Sequence, residues 1–135
     1  MIFDENTFCG KIFNDVINLS LDSFVKKYEA KSESIETSPL FPESTDFILN
    51  NSTTLQISTY RSPNRITSCQ CQFKEPSKIE QFIETVQKNN LFEYDNFMGS
   101  LYYYPEKMKG LSMSQIRIYT EKTMFYYFVE LGLSY

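Results

Sequence analysis

The sequence predicts a single α+β domain over residues 1–135: an N-terminal helix or helix pair, a β-hairpin, a capped helix and a C-terminal β-hairpin. The helices are expected on one face of a mainly antiparallel sheet. Three observations predict this class. Apolar residues recur at three-and-four spacing near the N-terminus, they alternate in the middle of the chain, and the C-terminal part is loaded with Ile, Tyr, Phe and Val.

From Glu5 to about Ala30 the stripe runs through Cys9, Ile12, Phe13, Val16, Ile17, Leu21, Phe24, Val25 and Tyr28, as one buried helical face requires. Ser20, with Asn18 and Asp22 beside it, is a suitable cap for a second helix, so a break is placed near Asn18 to Ser20. Residues 31–46 are rich in Ser, Glu and Pro without a period and read as a connecting loop. Leu40 and Phe41, between Pro39 and Pro42, are expected to pin that loop onto the body.

Thr54 to Tyr60 and Arg65 to Phe73 alternate, with Arg61-Ser-Pro-Asn64 as the turn of a hairpin and Asp46 to Leu49 as a short preceding strand. Pro76 is read as stopping the strand, and Ser77-Lys-Ile-Glu80 as a capping box. The stripe Ile79, Phe82, Ile83 and Val86 then packs against Leu55, Ile57, Cys69, Cys71 and Phe73, and the helix ends near Asn89-Asn90. Gln115 to Glu121 and Thr123 to Leu133 form the last hairpin, reversing at Glu121-Lys122-Thr123. Met124 to Val129 is apolar or aromatic on both alternating faces, which suits a strand covered on both sides or lying centrally in the sheet.

Composition bounds the chemistry. Hydrophobic residues make up 41% of the chain, with 12 Phe and 10 Tyr, enough apolar surface for one core. The net charge of -4 argues against nucleic acid, which needs a concentrated basic face. The charge is uneven: residues 1–50 hold nine acids and four bases, residues 51–135 eight acids and nine bases. Asp15 and Asp22 on the acidic helix face are expected to steer encounter with a partner. The first residues carry acids where a secretory signal carries bases, and no apolar stretch reaches the ~18 residues of a membrane span, so the cytoplasm is expected.

There is no histidine, which removes the commonest general base and zinc ligand. Cys69-Gln-Cys71 is too closely spaced for zinc thiolates, so with Cys9 these thiols are expected to be reduced, packed hydrophobes. The four glycines are scattered, so no phosphate-cradling loop can be assembled, and neither metal nor cofactor is expected. Glu80 and Glu84 lie one turn apart as a solvated helix face.

The densest aromatic run, residues 91–105, has no clean period and reads either as a core-covering segment with a strand at Ser100 to Tyr104 or as a recognition surface. The candidate partner-binding residues are Glu93, Tyr94, Asp95, Phe97, Tyr102 and Tyr103, since aromatics dominate interface cores and the acids suit a basic protein. The expected function is that of a binding or inhibitory protein acting by surface occlusion, such as an immunity protein neutralising a toxin. The alternatives are an assembly subunit, dimerising through a strand edge, and an enzyme built on carboxylates and tyrosines.

Overall fold

The computed structural model describes residues 3–88, 93–95, 100–103, 113–123 and 126–133. Helix α1 spans Phe8–Asn18 and α2 spans Leu21–Lys31, so the chain breaks at Leu19-Ser20, as the cap pattern predicts. Thr7 caps α1, its Oγ1 accepting from the Gly10 N–H at 3.1 Å. Gly10 has no room for a side chain, because a Cβ would collide with the Asp4 carbonyl and the Thr7 hydroxyl. Ser20 caps α2 by accepting from the Ser23 N–H at 3.2 Å.

The two helices are tied together by Asp15. Its Oδ2 receives Lys27 Nζ at 2.7 Å and the Tyr28 hydroxyl at 2.6 Å. The sequence reading of Asp15 as a steering acid is therefore corrected: this carboxylate is mostly covered and its charge is used internally.

Burial above all, then the Asp15 hydrogen bond and charge, push the Tyr28 hydroxyl far above its ordinary value of 10.0. Because the proton is held more tightly in the fold than in the unfolded chain, this contribution is complete below about pH 10 and is lost as pH rises further, by up to about 1.4 kcal/mol per pH unit. The buried Cys9 thiol, also raised, acts in the same direction. Comparing wild type with Tyr28→Phe in denaturant melts from pH 9 to 12 isolates the tyrosine, and the variant is expected to lose less stability over that range. Identical slopes would refute it.

Strand β1 (Ser34–Ser38) and β2 (Phe41–Asn50) form an antiparallel hairpin where the sequence suggested a loop over 31–46. The reason is positional. A strand exposed along its whole length needs no apolar period, and β1 gains its order from pairing with β2, whose Phe47 is fully buried against Phe24 of α2. Leu40 and Phe41 at the hairpin tip are 83% and 59% exposed, so they do not pin the segment to the body.

Strands β3 (Thr53–Ser58) and β4 (Ser68–Phe73) alternate buried and half-buried along their lengths, with Leu55 opposite Cys71 and Ile57 opposite Cys69. The connection between them contains Arg61 at φ 65, a left-handed residue that tightens the turn. Helix α3 is Pro76–Lys88. Proline opens it, where a missing N–H costs nothing, so Ser77 lies inside the first turn and the capping-box reading is corrected.

The remaining strands are β5 (Glu93–Asp95), β6 (Ser100–Tyr103), β7 (Met113–Thr123) and β8 (Tyr126–Leu133). Glu121 and Lys122 belong to β7, so the reversal falls after Thr123 rather than across Glu121-Lys122-Thr123. All pairs are antiparallel, in the order β1-β2-β3-β4-β8-β7-β6-β5. Two four-stranded meanders thus join where β4 meets β8, which makes β8 central as its doubly apolar sequence implies.

The core lies between one face of this sheet and the helices. Phe13 and Phe82 meet edge to face at 5.5 Å, Phe3 closes over both, and Leu55, Cys71, Phe73 and Leu131 line the sheet side. Ile79 and Phe82 are buried and Ile83 half-buried against it, as the stripe predicts; the side chain of Val86 lies outside the described residues. Cys9, Cys69 and Cys71 are free and buried in this layer, where hydrogen bonds join Cys71 to both of the others.

Candidate interaction surface

The opposite face of the sheet follows from the alternation. Residues between the buried positions are Thr54, Gln56 and Ser58 on β3 and Ser68, Gln70 and Gln72 on β4, a half-exposed polar row. Gln56 Nε2 donates to Asp46 Oδ1 at 2.8 Å across to β2. One line of register runs Glu36, Asp46, Gln56, Gln70, Glu130, Arg117, Leu101, Asp95 from one sheet edge to the other.

At one end of β2 the large apolar side chains leave the core. Leu40 and Phe41 protrude from the β1–β2 tip, and Tyr60, 50% exposed, stands on the neighbouring β3–β4 connection. The Thr59 N–H donates to the Glu43 carbonyl at 2.9 Å, which fixes that connection against the start of β2. The Arg61 guanidinium lies 5.3 Å from the Tyr60 ring centre. On the helix side, a cleft is lined by the apolar Leu21, Val25 and Ile57 and by three acids, Asp22, Glu29 and Glu43, with one base, Lys26. On the open side, a second cleft is lined by Glu36, Ser38, Phe41, Ser44, Asp46 and Gln56.

The residues that sequence reasoning selected lie at the other edge. Glu93, Tyr94 and Asp95 form β5, and Tyr102 and Tyr103 lie on β6, with Tyr94 opposite Tyr102 and Glu93 opposite Tyr103. Phe97 lies outside the described residues. Seven strand spacings of about 4.8 Å separate the two edges, or about 34 Å across the sheet. Tyr94 and Tyr102 share a register line with Ile116, Leu131, Cys69 and Ile57, three of whose side chains, the last three, are buried.

Leu40 and Phe41 were visible in the sequence as two large hydrophobes inside a Ser/Glu/Pro-rich stretch, but they were expected to fold inward, and their exposure overturns that reading. Among the described residues the buried polar side chains are Asn14, Thr53 and Thr67, none of them an acid. Glu84 is exposed and paired with Lys88 at 2.7 Å, as a solvated helix face implies. Among the described residues no three His, Cys, Asp or Glu side chains converge as a metal ion would require, and no helix is long and apolar enough to cross a membrane. No protein-family model, curated protein or solved structure matched this chain.

Proposed function

We propose that this is a binding or inhibitory protein that acts by covering a surface of a partner protein, as an immunity protein covers a toxin. The observation that carries this reading is the exposed apolar tip: Leu40, Phe41 and Tyr60 at one end of the sheet, beside acidic clefts. Large rigid side chains held out from a paired strand provide contact area at low ordering cost, and acids around them suit a Lys/Arg-rich partner.

The test is affinity capture from the native host with wild type and with Leu40→Ser/Phe41→Ser, followed by binding measurements on the identified partner. Each truncated anchor is expected to weaken binding by about thirtyfold, mainly through faster dissociation. Stability should change by no more than about 0.5 kcal/mol, because both side chains already face solvent. Tyr102→Ala and Tyr103→Ala are the comparison variants. If these weaken binding and the tip variant does not, the contact belongs to the β5–β6 edge and the tip assignment is wrong.

A further inference from the structure

Strand β1 ends the sheet, and all five of its residues, Ser34 to Ser38, are exposed. An edge strand presents a row of backbone N–H and C=O groups that a further strand can use, and proteins commonly block such edges with lysine, proline or a covering element. β1 contains neither lysine nor proline; its one charge is Glu36, and its pairing with β2 is regular from Ser34 to Thr37, with an irregularity only between Thr37 and Ser38. Its apolar register line is also incomplete: Ile35 pairs with the fully buried Phe47, which continues to Leu55 and Cys71, yet Ile35 is itself 41% exposed. The core's apolar seam runs out at this edge.

Charge decides what can cover it. Between Lys31 and Arg61 the chain has four acids, Glu33, Glu36, Glu43 and Asp46, and no Lys or Arg. Glu36 and Asp46 stand directly opposite one another in the β1–β2 ladder, an arrangement of like charges that is unfavourable by itself. Asp46 is held by Gln56, whereas Glu36 is exposed on the outermost strand and lines the same cleft as the Phe41 ring. A second copy of the chain would bring another acidic β1 against this one, so self-pairing is disfavoured.

We propose that β1 is a docking edge, to which an extended segment of the partner protein adds as a ninth strand. The segment carries a Lys or Arg opposite Glu36, flanked by apolar residues opposite Ile35 and Thr37. The basic side chain then lies in the cleft against Glu36, Asp46 and the Phe41 ring, and the flanking residue covers Ile35. This rests on the protein-binding reading above and names the chemistry of the partner.

The probe is a pair of terminally blocked peptides, Ser-Thr-Val-Arg-Val-Thr-Ser and its counterpart with Glu in place of Arg, titrated into the full-length isotope-labelled chain. The Arg peptide is expected to shift the amides of Ser34 to Ser38 and slow their exchange, and the Glu peptide to bind about tenfold more weakly, since opposed charges contribute and like charges oppose. Glu36→Arg, at an exposed position, should reverse the preference, and Glu36→Gln should abolish it. Absence of shifts in β1 with either peptide, equal affinity for both, or concentration-dependent β1 shifts of the chain alone would each overturn the proposal. If β1 ignores the peptides while Leu40→Ser/Phe41→Ser still loses a captured partner, only the edge inference falls. If the peptides dock as stated but the tip variant captures the partner like wild type, the tip reading falls instead.

Discussion

Phe82→Ala is expected to lower the free energy of unfolding by about 3–5 kcal/mol, a large share of the stability of a domain of this size. Phe82 has no exposed surface, and its ring meets those of Phe13 at 5.5 Å and Phe3 at 5.9 Å, so truncation removes contacts on α1 and on the N-terminal segment together. Those three rings come from separate elements that are each anchored elsewhere, and the void can close only partly. Chemical denaturation measures the effect through the shift of the midpoint at constant slope. A loss under about 1 kcal/mol would mean that this stripe is not a core element.

Asn14→Leu is expected to cost about 2–4 kcal/mol even though it makes the core more apolar. Asn14 is 3% exposed and forms two hydrogen bonds with the backbone of one residue: Phe3 N–H donates to Oδ1 at 3.0 Å, and Nδ2 donates to the Phe3 carbonyl at 2.9 Å. The amide therefore imitates a strand partner for Phe3 and holds its ring over Phe13 and Phe82. Leucine of similar size satisfies neither backbone group. The measurement is a denaturant melt together with hydrogen exchange at Phe3, which should become fast in the variant. Unchanged exchange at Phe3 would show that the segment is held by its ring alone.

Elements whose residues touch the core were legible from the sequence, because burial on one side imposes a period. Thus Cys9, Ile12, Phe13 and Val16 marked α1, Leu55 and Ile57 marked β3, and Cys69, Cys71 and Phe73 marked β4. The break before α2 was legible through a local hydrogen bond, Ser20 to Ser23, that depends on no distant residue. The start of α3 was misplaced by two residues, at Lys78 after a Ser77 cap rather than at Pro76, because Pro76 and Ser77 both suit a helix N-terminus.

What the sequence by itself determined is the α+β class, the core-facing stripes and the shared face of Cys69 and Cys71, all consequences of side-chain periodicity. What only the tertiary structure decided lies at the edges of the sheet. β1 has no apolar period because neither of its faces is covered, so its strand character depends on backbone pairing with β2. Whether Leu40 and Phe41 turn inward depended on the pairing of that hairpin, whose tip holds both side chains out. The pairing of β8 with β4 was likewise out of reach, because period two says which way a side chain faces and nothing about which distant strand lies beside it.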